Sequence, residues 1–403
     1  MSGLTIRPTC AQHSSTRESE AALPCPTEAR APTRFLLMPA CTFDDLSGRP
    51  RADRITVAAL ATDLRVLQSP ELVRSRPMMH SSLESIEKSG QDLFVSAALE
   101  VVQRCPGCDG AELVHERTQP DNLFGIPGRW QLDRCTSCSL IFVNPRPSEA
   151  DLGEAYEALF PNQGGRTQAP PTRSLRLLRV WHWLNGSSSF QARFIPSGHG
   201  TLLDVGCGTG ALGAALIRRG YRVLGVELNR THWQAAAANG VEVVGRTLED
   251  ADIQPDSLDG VVYADVLEHV CDPGRQLRVA AELLRRGGRL YIACPNYGSL
   301  QRRLYGDAWH GWHLPFHLNH FSPTSLRAML KRSGFSEVSV RQESPVQYAL
   351  ASWRTRTSST PLAAWNDLGR NSPRWLRVGL GTSLRVLSLL AVGDQLVAVA
   401  RKP

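Results

Sequence analysis

Between residues 201 and 229 the chain reads TLLDVGCGTGALGAALIRRGYRVLGVELN. An apolar run of strand length meets a turn holding Gly206, Gly208 and Gly210, a helix-patterned stretch follows, and a second apolar run closes on Glu227. Strand and helix patterns go on alternating to about residue 343. That alternation is the signature of a parallel α/β sheet whose crossovers are helices. With 42% hydrophobic residues, a chain of 403 has the material for such a core and for two or three domains.

The glycine turn narrows the ligand. Glycines there let the backbone reverse sharply and let a bound molecule approach it closely. The spacing is G-x-G-x-G, whereas dinucleotide-binding folds usually show G-x-G-x-x-G. Asp204 ends the first strand, and Glu227 ends the second, where a carboxylate can accept both hydroxyls of a ribose. At these residues the sequence is similar to the class I S-adenosylmethionine-dependent methyltransferases. LLDVGCGTG resembles their first motif and GVE their ribose-binding position; ADVLEHV and LLRRGGRLYIACPN resemble their fourth and fifth strands, and DQLVAVARKP their last. The resemblance implies a Rossmann-like seven-stranded sheet. It implies that Gly206, Gly208 and Gly210 line the methionine and ribose side of the cofactor, that Asp204 orients the loop or meets the methionine amine, and that Glu227 holds the ribose. Leu248 and Glu249 fall where the family packs on adenine, with Thr247 in place of the Asp that often precedes them. Cys207 lies within the loop as small filler, and Asp265 lies near the expected methyl group.

Four of the ten cysteines form two C-x-x-C pairs, Cys105 with Cys108 and Cys135 with Cys138. Each pair can turn two thiolates toward one centre, and two such knuckles make a tetrahedral site suited to structural Zn2+ with no open position. A zinc-ribbon-like β module over residues 96–150 is therefore expected, N-terminal to the sheet, with RWQLDRC and SLIFVNPRP as its strands. A bacterial subgroup of the same methyltransferases resembles this layout. It has a cysteine-knuckle module ending in NPRP and a later segment like YGDAWHGWHLPFHLNHFSPTSLRAMLKRSGF.

Two constellations have the residue types for chemistry. Histidines 310, 313, 317 and 320 cluster in a segment that follows the fifth strand, so residues 297–322 are expected as a lid over the carboxyl edge of the sheet, where open α/β folds bind ligands. Histidine titrates near neutrality and suits a general base. His317 is the leading candidate and His320 the second, with packing under the following helix as the alternative for His320. Asp265, Glu268 and His269 share one face if helical. Some class I methyltransferases that act on ribose hydroxyls or catechol-like rings carry a similar E-x-x-E-H metal site; hydrogen bonding at a helix start is the alternative.

The rest of the chain is less informative. Residues 1–95 are broken by Pro, Ser, Thr and Arg and read as an extension without strong periodicity, with a start at Met78 or Met79 as one explanation. Residues 151–196 read as a helical linker, and 344–393 as a cap insertion whose basic apolar stretch 373–392 can pack on the domain or lie on a membrane surface. No run approaches about 18 apolar residues and no secretory signal is visible, so cytoplasm is the expected compartment. The net charge of +7 is dispersed arginine, with Lys88, Lys331 and Lys402 the only lysines, so it reads as solvated surface. The expected reaction is methyl transfer from S-adenosylmethionine to a small-molecule acceptor: a glycan, a nucleotide sugar or a secondary-metabolite intermediate. The absence of an N-P-P-Y type motif lowers an exocyclic base nitrogen as target, and nucleic acid is not the expected partner. The alternatives are an RNA methyltransferase that grips its substrate with the zinc module, which would show salt-dependent binding, and a non-catalytic scaffold that keeps the cofactor fold.

Overall fold

The computed structural model of the chain describes residues 99–123, 126, 128–159, 192–357, 384 and 390–403, with the backbone alone at 156–159 and 193. The expected N-terminal extension 1–95 lies outside the described residues, as do 160–191 of the linker and, apart from Leu384, 358–389 of the cap with most of the surface-seeking stretch 373–392.

The first strands are short and antiparallel. β1 (Leu99–Glu100) pairs with β5 (Arg146–Pro147). β2 (Leu113–Pro120), β3 (Arg129–Cys135) and β4 (Ile141–Val143) form a meander. Along β3 Trp130, Leu132 and Cys135 turn inward, while Arg129 and Gln131 stay exposed, close to the period-two pattern of a half-buried strand. The fourth strand of this sheet is β11 (Asn319–His320), giving the order β11-β4-β3-β2. The β module expected over 96–150 is thus continued by a strand from the histidine segment. The cysteine segment shares its sheet with the histidine segment, and the described residues fall in one compact unit.

The large sheet follows the reading of the sequence. β6 (Thr201–Val205), β7 (Arg222–Val226), β8 (Glu242–Gly245), β9 (Leu258–Ala264), β10 (Leu284–Pro295), β12 (Ser336–Glu343) and β13 (Gln395–Arg401) stand in the order β12-β13-β10-β9-β6-β7-β8. β8, β7, β6, β9 and β10 run parallel, and β13 enters antiparallel between β10 and β12. Alternate residues of each central strand enter different cores, as a pleated sheet covered on both faces requires. Leu203, Val205, Val261, Tyr263, Leu290 and Ile292 join one cluster; Leu202, Val223, Val262 and Tyr291 join the other.

Helices cover both faces. α1 (Glu149–Leu159) precedes the sheet. α2 (Ala211–Ile217) and α3 (Trp233–Ala238) place Leu216 and Ala236 in the second cluster. α4 (Pro273–Leu283) brings Leu277 and Leu283 to the first. α5 (Leu300–Tyr305) leads to α6 (Pro323–Arg332), which adds Leu326, Met329 and Leu330 to the first, and to α7 (Val346–Thr357). Helix starts are written locally. Asp272 caps α4, and Ser322 with Ser325 forms a reciprocal capping box on α6, each followed by a proline in the first turn.

The cysteine knuckles are built into the first core. Cys105, Cys135, Cys138, Leu140 and Phe142 pack in the same cluster as α4 and α6. The approach is close on both sides. A methyl group on Gly107 would meet Met329 Cε at 2.5 Å, and one on Gly274 would meet the carbonyl oxygens of Pro106 and Gly107 at 3.0 and 3.1 Å. Gly274 N–H also donates to Pro106 O at 3.2 Å. Gly274→Val is therefore expected to push the first knuckle off α4 and to destabilise the fold by about 1–3 kcal/mol, read as a lower denaturant midpoint.

Candidate functional site

The strand-to-helix turn after β6 is held by main-chain bonds. Gly206 and Cys207 N–H groups donate to Val226 O at 2.9 and 3.1 Å. Gly206, Gly208 and Gly210 have φ of 67°, 52° and 76°, a region that side chains other than glycine rarely enter. Glu227 faces this turn from β7's end: one carboxylate oxygen accepts from Gly208 N–H at 2.8 Å, the other from Asn229 N–H at 2.9 Å. Asp204 lies below, 2% exposed, its carboxyl pushed up to about 7 by burial and then by the Glu227 charge. Cys207 is buried against Gly225, and desolvation, then Asp204 and Glu227, push its thiol above the ordinary range. Leu248 and Glu249, expected from the resemblance to pack on adenine, follow β8. Leu248 is 5% exposed in the first core, and Glu249 accepts from Gln276 Nε2 at 3.0 and 3.3 Å. Leu248 thus turns inward, while Glu249 stays exposed.

At the end of β9, Asp265 takes a left-handed conformation with φ 56°. Its carboxylate accepts from Tyr348 Oη at 2.9 Å and Gln395 Nε2 at 3.1 Å. Val266 then packs on the glycine turn, where a methyl group on Gly206 would meet its Cγ2 at 2.7 Å. Residues 267–269 form one 3-10 turn. Glu268 is 1% exposed, and neither of its oxygens finds a hydrogen-bond partner among the described residues. Burial, then Asp265, raises its pKa well above the carboxylate range. His269 Nδ1–H donates to Phe316 O at 3.0 Å. This contact brings the two separately read constellations together. Donor atoms of Glu268, His269 and His317 all lie within 4.8 Å of one another.

The histidine segment, within the 297–322 stretch expected as a lid, is tied to its surroundings at several points. Asn319 and His320 pair with Phe142 and Ile141 of β4, Trp309 Nε1–H donates to the buried Asp394 at 2.7 Å, and Asn319 Nδ2 donates to Val270 O at 2.7 Å. His317 Nδ1–H donates to Gly311 O at 2.9 Å, and its Nε2 lies 3.2 Å from His313 Nδ1. Desolvation, with neighbouring histidines, lowers the pKa of His317 well below its ordinary value. His320 is 3% exposed, edge-on to Trp312 at 5.2 Å, and pushed down to about 3 by burial and then by Arg302 and Arg117. Burial favours the neutral form of both rings. An open cleft of about 830 Å3, lined by residues including Asp121, Arg303, Asp307 and Arg356, lies elsewhere and touches none of these groups.

The four paired cysteines converge. Cys105 and Cys138 Sγ are 3.5 Å apart, Cys108 and Cys135 Sγ 3.6 Å. The knuckles match: Asp109 N–H donates to Cys105 O and Ser139 N–H to Cys135 O, at 2.8 and 2.9 Å, and Asp109 and Ser139 both have φ near 60°. Gly107 N–H points at Cys105 Sγ at 3.4 Å. The hydrogen bond from Cys105 holds the Cys138 thiol down at about 5.

Tyr348, Gln395 and Asp394 carry no sequence signal for these roles, since each reaches its partner from a distant part of the chain. The histidines and Asp265-x-x-Glu268-His269 were visible, but their meeting was not.

The fold is an α/β domain with a seven-stranded sheet, and residues 176–340 match the family described as "Methyltransferase domain". Among curated proteins, an Aeromonas salmonicida "Ubiquinone biosynthesis O-methyltransferase" is 37% identical over 102 residues, covering 24% of this chain and 43% of that protein. One of the same description from Xylella fastidiosa is 30% identical over 160 residues, covering 38% and 61%. The chain thus spans about half the length of the curated relatives it matches. A solved Thermotoga maritima structure, described as a S-adenosylmethionine-dependent methyltransferase and possible histamine N-methyltransferase, is 18% identical with a TM-score of 0.38, covering 57% of this chain and 96% of that one.

The depressed His320 gives a pH test. Between its folded value of about 3 and an unfolded value near 6.5, the unfolded chain holds a proton there that the folded chain lacks, so lowering the pH favours unfolding. Relative to His320→Gln, the native protein is expected to lose about 1.4 kcal/mol of stability for each pH unit from 6.5 toward 4, measured as paired denaturant midpoints.

Proposed function

We propose that the chain transfers a methyl group from S-adenosylmethionine to an oxygen of a small-molecule acceptor. The observation that carries this is the match of residues 176–340 to a methyltransferase domain over the segment that contains the glycine turn and Glu227. Named relatives that are O-methyltransferases support oxygen as the atom. They give no support to the glycan or nucleotide-sugar class expected above.

The roles follow the geometry. Glu227 stands 2.8 Å from Gly208 N–H, so a ribose diol would meet a carboxylate already fixed by the loop. Gly206, Gly208 and Gly210 keep the loop free of side chains on the approach side, and Asp204 supports it from beneath. Asp265, fixed by Tyr348 and Gln395, faces the same carboxyl edge of the sheet. The cofactor supplies an activated methyl on a sulfonium; the protein's task is to align the acceptor, exclude water and accommodate the acceptor's proton.

The four thiolates fit Zn2+ by donor type and by their close pairing, and with all four positions filled the ion would be structural. That fit, with paired thiols kept reduced, is consistent with a cytoplasmic protein. Because the cysteine centre is part of the main core, it offers little reason to read the segment as an RNA grip.

Titration calorimetry tests the reading. The zinc-loaded protein is expected to bind S-adenosylmethionine with micromolar affinity, and Glu227→Ala to weaken it about 10- to 100-fold. Absence of binding by folded protein would favour the scaffold alternative. Cys138→Ser is expected to lower bound zinc from one ion per chain and to reduce thermal stability, by metal analysis and a melting curve.

A further inference from the structure

We propose that the open cleft between the β2–β3 connection and helices α5 and α7 binds a small organic dianion, with a phosphate monoester as the fitting class. The cleft touches neither the glycine turn nor the cysteine centre. Binding there does not depend on the methyl-transfer reading.

The chain brings cationic groups to this place from three elements. β2 carries Arg117, α5 carries Arg302 and Arg303 in its last turn, and α7 carries Arg356 in its last turn. Packing fixes the first two. Arg117 lies over the Trp312 ring at 4.6 Å and donates to Asp307 at 2.8 Å. Arg302 lies over the Tyr297 ring at 4.1 Å and donates to Tyr297 O. Arg303 and Arg356 are exposed, line the cleft, and have no carboxylate partner among the described residues. Arg356 Nη1–H reaches across to Leu304 O at 3.4 Å, which sets its guanidinium against α5 beside the residue that follows Arg303.

The acids of the cleft are already engaged. Asp307 is the partner of Arg117. Asp121 accepts from Leu123 N–H with one oxygen and from Ile126 N–H with the other, at 2.8 Å each. Two guanidiniums therefore face the cleft with no carboxylate bonded to either. Their field reaches the neighbouring side chains: burial, then the Arg117 and Arg303 charges, lowers the pKa of Arg302, with Tyr297 and Glu116 opposing. An anion between Arg303 and Arg356 would offset that accumulation of like charge.

The rim is held in place before any ligand arrives. Asp307 O accepts from the fully buried Gln119 side chain at 3.3 Å and from Asn122 Nδ2. A volume of about 830 Å3 suits a small molecule. Guanidinium forks match the oxygens of a carboxylate or a phosphate, and two forks favour a double charge. A phosphate monoester supplies that charge and three acceptor oxygens. Leu304, 53% exposed on the cleft wall, offers an apolar surface to the carbon part of the ester, which inorganic phosphate lacks.

The test is calorimetric titration of the full chain with phenyl phosphate, inorganic phosphate and benzoate, in low salt at about pH 8, where the monoester is a dianion. Phenyl phosphate is expected to bind one per chain, about fivefold or more tighter than either other probe. Arg303→Gln and Arg356→Gln are each expected to weaken it about fivefold or more, with melting temperature retained. Arg222→Gln, an exposed arginine at the start of β7, is expected to leave the affinity unchanged. No binding of phenyl phosphate, unchanged affinity in both cleft variants, or an equal loss in Arg222→Gln would overturn the site. Benzoate binding as tightly as phenyl phosphate would overturn the dianion class. Competition with S-adenosylmethionine would put the probe at the glycine turn and overturn the cleft, whereas failure of S-adenosylmethionine itself to bind would count against methyl transfer alone.

Discussion

The short antiparallel pairing of Asn319 and His320 with Phe142 and Ile141 joins the two halves of the molecule. One side of that ladder leads through β3 to the second cysteine knuckle; the other leads back to His317 and forward to the capped start of α6. Val143 N–H to Leu318 O, at 2.9 Å, extends the same seam. Through it, the knuckles set the height at which the histidine segment crosses the carboxyl edge of the large sheet. Arg146 adds a tie, its guanidinium donating to Cys271 O at 2.7 Å beside the Glu268 turn. The cysteine segment thus acts on the site as scaffolding within one core.

That edge gathers groups that dislike burial. Asp204, Glu268 and Asp394 are held above the usual carboxylate range, while His269 and His310 are held down at about 4, all with desolvation as the leading cause. In a protein interior such groups are usually neutralised or matched with a partner. Asp394 has its match, accepting from Ser299 and Trp309 at 2.7 Å each. Glu268 does not. The contrast between two carboxylates buried in the same region separates a structural anchor from a group set up for a ligand.

Local chemistry made the large sheet legible. TLLDV is β6 to the residue, RVLGV is β7, and the glycines fall where φ turns positive. Four cysteines at regular spacing announced their own convergence. What the sequence did not disclose is contact between segments far apart: β11 completing the cysteine sheet, Tyr348 and Gln395 reaching Asp265, His317 reaching Glu268. A two-residue strand has too few residues to show a period, and Leu248 looked available for a ligand only because its inward turn depends on α4. For the histidines the residue type is plain in the chain, but burial shifts basicity, and burial is a property of the packed chain.

The antiparallel β13 has a consequence for how the molecule comes into being. Gln395–Arg401 is inserted between β10 and β12, bonded to both along its length, so β12 has no sheet neighbour until this segment arrives. A chain emerging from the ribosome can assemble β6 to β10 as a parallel block early, while the outer edge of β10 stays open until residues 395–401 follow. Docking of 395–401 against 289–295 then closes that edge and gives β12 its place in the sheet in one step.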